Sequence, residues 1–248
     1  SVTVTIDIVD DAPIANDDTD SVTEDTSVTA TGNVVTGLEI SGDVNTTDGT
    51  ADVLGADRVT VGQEIVGVET GDQATELSTN VGTSIDGQYG KLTLFADGAY
   101  TYTLYTQTEN QSAYSTVQGR DTTDPALTDT FTYTLKDADG SWNNATLTIS
   151  VNGSNDGPTL TTDDQVQGGN DVVYESGLLN GSDTTPTTVT AQGTFTIGDV
   201  DGLDDISSLS FTETGGTTLT HTVGSESLAD LVNKTFDTEN GTVKITAY

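Results

Sequence analysis

The chain contains no cysteine and no methionine. Without cysteine there is no disulfide framework, no zinc–thiolate site and no thiol nucleophile. Basic residues are scarce as well: Lys and Arg total 6 against 40 Asp and Glu, for a net charge of −34. Nucleic acids and anionic membrane surfaces both need clustered cations on the protein, so neither is expected as a partner. No apolar run approaches the roughly 20 residues of a membrane-crossing helix, and no membrane insertion is expected. The single histidine, His221 in Thr218-Leu219-Thr220-His221, has no serine or aspartate at a spacing that suggests a proton relay. The expectation is therefore that the chain is not an enzyme. No signal peptide is visible and the first residue already lies within a strand pattern, so the chain is expected to be part of something longer.

What is abundant is threonine, glycine and acid, arranged around short alternating runs. Ala145-Thr146-Leu147-Thr148-Ile149-Ser150-Val151 alternates strictly, as a half-buried strand does. It ends in Asn152-Gly153-Ser154-Asn155-Asp156-Gly157-Pro158. The chain opens with the same device: Val2-Thr3-Val4-Thr5-Ile6-Asp7-Ile8, then Asp10-Asp11-Ala12-Pro13. Aligning Pro13 on Pro158 places Val2, Val4 and Ile6 on Leu147, Ile149 and Val151. Internal similarity of this kind predicts tandem domains joined by short acidic linkers. The boundaries expected are 1–11 for the last strand of a preceding repeat and 12–156 for a β-sandwich. Residues 157–248 are expected to form a second β-sandwich, truncated at its C-terminal strands.

Within the first repeat, Ser21 to Glu24 with Val28 to Ala30 suggests a first strand, and Val59-Thr60-Val61 and Glu64 to Val68 suggest others. The clearest pattern spans residues 89–104, where two alternating runs flank Ala96-Asp97-Gly98 and predict a β-hairpin. Residues 41–57 read as loop and 106–128 as a long polar connection. Phe131-Thr132-Tyr133-Thr134-Leu135 alternates again, and Asp137-Ala138-Asp139-Gly140 turns the chain into the strand at 145–151. In the second repeat, Val172 to Glu175, Thr194 to Ile197, Ser208 to Phe211 and Thr242 to Thr246 read as strands. Residues 227–232 alone have helical spacing. The fold class expected is all-β, with tandem sandwiches arranged end to end.

The hairpin at 89–104, the run Leu127 to Gly140 and the strand with its linker at 145–158 together resemble the VCBS repeat. This is a bacterial cadherin-like, Ig-like domain of very large RTX adhesins. Ala15-Asn16-Asp17-Asp18 with Glu24-Asp25 resembles that family's domain start. Val173 to Gly177 with Gly198-Asp199-Val200-Asp201-Gly202-Leu203-Asp204 resembles a sister repeat. The resemblance implies calcium-rigidified spacer repeats of a bacterial cell-surface adhesin, serving adhesion and biofilm formation. It also implies an extracellular location reached by type I secretion, with folding outside the cell once calcium is met.

Calcium suits the residues too, being a hard cation that takes six to eight oxygens in flexible geometry. Self-repulsion from the net charge opposes compaction, and bound cations relieve it. The resemblance implies metal ligands at the junction between the repeats: Asp137 and Asp139, Asn155 and Asp156, Glu175, and Asp199, Asp201 and Asp204. At the N-terminal junction it implies Asp10, Asp11 and Glu24, with Asp17 and Asp18 nearby. The Asp-x-Asp-Gly loops lack the further ligands of an EF-hand. The partners expected are neighbouring repeats of the same chain. Two alternatives stand beside the spacer. One is a glycan- or peptide-binding module using residues 41–57 or 106–128, or the aromatic residues Tyr100, Tyr102, Tyr105, Tyr114 and Trp142. The other is a surface filament in which residues 1–9 exchange into another copy as a donor strand.

Overall fold

The computed structural model describes residues 3–6, 9–39, 49–162, 194–203, 206–212, 218–222, 228–237 and 242–246. Contacts divide the chain into two units, Ser1–Asn155 and Asp156–Tyr248.

In the first unit the chain runs β1 (Asp18–Thr23), β2 (Thr29–Asn33), β3 (Leu38–Glu39), β4 (Ile65–Thr70), β5 (Ser84–Asp86), β6 (Gly90–Leu94) and β7 (Ala99–Leu104). It continues through α1 (Gln111–Gln118), β8 (Leu127–Lys136) and β9 (Trp142–Asn152). Two sheets result, ordered β1-β9-β8-β4 and β3-β2-β7-β6-β5. All pairings in the unit are antiparallel except β1 on β9, which is parallel, with Asp18 beside Leu147 and Val22 beside Val151. This is a β-sandwich, as the alternation requires.

The core is the set of inward positions of both sheets. Val22, Phe131, Tyr133, Leu135, Leu147, Ile149 and Val151 come from one sheet; Ala30, Leu92, Leu94, Tyr100, Tyr102 and Leu104 come from the other. The Tyr102 and Phe131 rings meet edge to face at 6.1 Å between centroids, a favoured aromatic geometry. The hairpin expected at 89–104 is β6–β7. Its tip closes through the Gly98 N–H on the Phe95 carbonyl (3.0 Å), with Gly98 at φ +85°. A side chain there would also strike Val35.

Several local expectations differ from the structure. The run proposed as one first strand is two, β1 and β2, in different sheets, because the chain reverses at Asp25 (φ +60°). Val59-Thr60-Val61 is not a strand: the chain turns, with the Gln63 N–H on the Thr60 carbonyl, and Val61 is exposed. Buried Glu64 accepts the Gly62 N–H on both carboxylate oxygens, and this contact overrides the β-propensity of the valines. The connection 106–128 contains helix α1. Asn110 caps it by accepting the Ala113 N–H, and it buries only Ala113 and Val117. Residues 3–6 and 9 are outside any strand, with Val4 and Ile6 exposed.

The outer face of β8 is covered as well. Residues 71–77 cross it, held by the Gln73 and Leu77 N–H groups on the hydroxyls of Thr132 and Thr134. The Asn144 amide donates to the Gln73 and Thr75 carbonyls. This is why Thr132 and Thr134, on the polar side of the alternation, are buried.

The second unit has three antiparallel strand pairs among its described residues: β10 (Thr159–Thr162) with β11 (Phe195–Gly198), β12 (Ser208–Thr212) with β13 (Thr218–Thr222), and β14 (Thr235–Asp237) with β15 (Thr242–Lys244). Leu228–Leu231 is one turn of 3-10 helix. Ile206, Leu209 and Leu231 form a small core. The strand expected at 172–175 lies outside the described residues. No helix among the described residues is long and apolar enough to cross a membrane.

Candidate metal centre

The parallel pairing of β1 with β9 decides which acidic residues meet. Both strands start at the same end of the first sandwich, so what precedes β1 lies near what precedes β9. Asp10 precedes β1, and the turn Asp137 to Ser141 precedes β9. One carboxylate oxygen from each of Asp10, Asp137 and Asp139 lies within 4.8 Å of the other two.

The turn is built to present them. The Asp137 N–H donates to the Ser141 carbonyl (3.0 Å), closing the β8–β9 hairpin. Gly140, at φ +107°, donates its N–H to Asp137 Oδ1 at 3.0 Å. The Ser141 N–H donates to Asp139 Oδ1 at 3.2 Å, and its hydroxyl donates to Asp10 Oδ2 at 2.6 Å. The Ala138 N–H is held by the Asp57 carbonyl (2.8 Å). Asp137 is only 5 % exposed, and its Oδ2 is buried with no hydrogen-bond partner among the described residues. A buried carboxylate oxygen without a donor is costly to leave so. A bound cation would satisfy it. The donors are all hard oxygens, with no histidine or cysteine in the group, which suits calcium better than zinc or copper.

The grouping differs from the sequence expectation. The expected junction joins Asp137 and Asp139 to Asn155 and Asp156, yet the turn and the start of the linker lie at opposite ends of β9. That strand spans Trp142–Asn152, about 34 Å at the usual rise per residue. Glu24, expected with Asp10 and Asp11, follows β1 and therefore sits at the linker end. It is fully buried: Oε1 accepts the Ser154 N–H (2.8 Å) and Oε2 accepts the Gln118 amide (2.7 Å). It ties the start of the linker and helix α1 to the β1–β2 turn. Asp11 is exposed and is not in the carboxylate group; its carbonyl packs on Gly55.

Asp17 and Asp18 are not at the cation group either. Asp17 accepts both the N–H and the hydroxyl of Thr146 (2.8 and 3.0 Å), pinning β1 to β9. Asp18 is buried and accepts the Tyr133 hydroxyl at 3.0 Å. In the second unit, the Asp156 N–H donates to Asp201 Oδ2 at 2.9 Å. Both carboxylate oxygens of the half-buried Asp199 are withdrawn from solvent. Asn155 is exposed. Glu175 and Asp204 lie outside the described residues.

Sequence reading missed a second use of acid: buried carboxylates that satisfy core tyrosines. The Tyr100 hydroxyl donates to Asp20 (2.6 Å) and the Tyr102 hydroxyl to Asp129 (2.6 Å). The Tyr133 hydroxyl lies within reach of Asp18, Asp52 and the Asn16 carbonyl. The indication was present, because Tyr100, Tyr102 and Tyr133 sit at inward positions and a buried hydroxyl needs a partner. Tyr100 and Tyr102 are therefore core, as their alternation with threonine implies, and are not available to an aromatic ligand platform.

Asp52 has a titration consequence. Its carboxylate accepts the Asn16 N–H (2.7 Å), and Asp18 faces the same tyrosine hydroxyl. Burial pushes the Asp52 carboxyl up from 3.8 to about 7, against the lowering effect of the Asn16 N–H and the Tyr133 hydroxyl. The folded state then holds a proton that the unfolded state has lost between these two values, so Asp52 makes stability fall as pH rises through that window. Melting in chelator from pH 4.5 to 8.5 checks this. Asp52→Asn should gain on the wild type as pH rises and level off above about 7; a difference that does not change with pH would sink the assignment.

The profile of the bacterial cadherin-like domain matches residues 10–153, the first sandwich together with Asp10. No curated protein matches the chain.

Proposed function

The chain belongs to the bacterial cadherin-like domain family, and from that premise we propose that it is a calcium-stiffened spacer of a large bacterial cell-surface adhesin. Family membership makes it an extracellular, adhesin-like repeat of a typically non-enzymatic kind. The finer reading is an RTX-type adhesin, secreted by a type I system and serving attachment and biofilm formation.

One observation carries the calcium step. Asp10, from the segment before the first strand, meets Asp137 and Asp139, and Asp137 carries a buried carboxylate oxygen that lacks a donor among the described residues. A calcium ion supplies charge that all three carboxylates share, and Asp10 then fastens the preceding segment to the sandwich. Asp137 supplies the anchored ligand, Gly140 orients it, and Asp10 and Asp139 close from the exposed side. Residues 3–6, with Val4 and Ile6 exposed, support a neighbouring repeat as the partner, since they match the inward residues of β9.

The test is a thermal melt with small-angle scattering, in millimolar calcium and in excess chelator. Calcium should raise the melting temperature of the first sandwich and narrow the spread of scattering dimensions. An unchanged melt would discard the cation and leave the acids as a solubilising surface.

A further inference from the structure

Ser141 touches all three members of the carboxylate group, each through a different atom. Its hydroxyl donates to Asp10, its N–H donates to Asp139, and its carbonyl accepts the Asp137 N–H. Three carboxylates within 4.8 Å of one another repel. Asp10 feels this least restrained, being exposed and on the segment before β1. The Ser141 hydroxyl is the contact that holds it against the turn.

We infer that Ser141 is the positioning residue of this site: its hydroxyl holds the Asp10 carboxylate beside Asp137 and Asp139 before a cation arrives. The inference rests on the cation reading of the same site. An anion presented in place has less conformational freedom to lose when the ion binds. Ser141 itself need not touch the ion. Threonine keeps the hydroxyl; alanine removes it and leaves the backbone contacts to Asp137 and Asp139.

The chain supplies its own reporter. Trp142, its only tryptophan, follows Ser141 and is 38 % exposed. The experiment is a calcium titration of Trp142 fluorescence on the full chain, for the wild type, Ser141→Ala and Ser141→Thr, with calorimetry alongside. Losing one hydrogen bond to a charged group should move the Ser141→Ala midpoint to about tenfold higher calcium or more. Ser141→Thr should stay near the wild type. Melts in chelator should change little for either variant.

A Ser141→Ala midpoint equal to that of the wild type overturns the inference while leaving the cation site standing. So does a variant that melts lower by the same amount with and without calcium at an unmoved midpoint, since Ser141 would then only stabilise the turn. If the wild type shows neither a fluorescence change nor heat with calcium, and Asp137→Asn behaves identically, the cation reading itself falls and takes the inference with it.

Discussion

Asp129→Ala should cost the first sandwich a large part of its stability. Asp129 is buried on β8 and accepts three hydrogen bonds: the Gln88 N–H at 2.7 Å, the Tyr89 N–H at 3.0 Å and the Tyr102 hydroxyl at 2.6 Å. Alanine leaves three donors without their acceptor, at about 1–3 kcal/mol each where water does not reach them. A loss of about 4 kcal/mol is a large part of the 5–15 kcal/mol typical of a domain. At roughly 3 °C per kcal/mol for this size, the melting temperature should fall by about 12 °C. Gly87 compounds the effect, because it packs directly on the Asp129 carboxylate. Tyr102→Phe removes one donor and leaves Asp129 its two backbone partners, so about 1–2 kcal/mol is expected. A melt in which Asp129→Ala costs no more than Tyr102→Phe would show that the carboxylate does not organise the turn at 87–89.

These paired tyrosines and acids show how far composition misleads here. A net charge of −34 invites every acid to be read as a surface group or an ion ligand. Yet Asp18, Asp20 and Asp129 lie in the core. Each occupies an inward position within reach of a tyrosine hydroxyl, from the facing sheet for Asp20 and Asp129 and from two strands away in the same sheet for Asp18. Strand periodicity was readable because it is local: residues 90–104 and 145–151 alternate cleanly, and the hairpin tip carries a glycine at positive φ. Helix α1 was not, because Ala113 and Val117 are its only buried residues and the rest of Gln111–Gln118 is polar. Its start is set by the Asn110 cap rather than by an apolar stripe.

The candidate site was half readable for a related reason. Asp10, Asp137 and Asp139 stand out as acids in turns and linkers. Which of them meet depends on β1 running parallel to β9, and nothing in either strand's own residues announces that pairing. Sequence proximity therefore grouped Glu24 with Asp10, and β1 carries them to opposite ends of the sandwich. A serine after Asp-Gly has no local feature that sets Ser141 apart from an ordinary turn residue. Its role follows from three contacts across the fold, one of them to a residue 131 positions away.

That separation of ends makes a pair of opposite outcomes testable in one experiment. Asp137→Asn and Glu24→Ala should fail in different ways. Calcium at a hundredfold excess over its dissociation constant should stabilise the wild-type sandwich by about 2.7 kcal/mol, or roughly 8 °C at this domain size. Asp137→Asn should lose most of that increment, because it replaces one of the two oxygens of the buried carboxylate with an amide nitrogen and removes its charge. Its melt in chelator should fall little, or rise, since repulsion from Asp10 and Asp139 is relieved. Glu24→Ala should lower the melt in chelator by about 2–4 kcal/mol, because the Ser154 N–H and the Gln118 amide lose a buried charged acceptor. The calcium increment at the Asp10 group should survive it. If Glu24→Ala instead abolished the calcium increment while Asp137→Asn kept it, the working cation site would lie at the linker end. Asp10, Asp137 and Asp139 would then be a hydrogen-bonded turn, with Ser141 as its clasp.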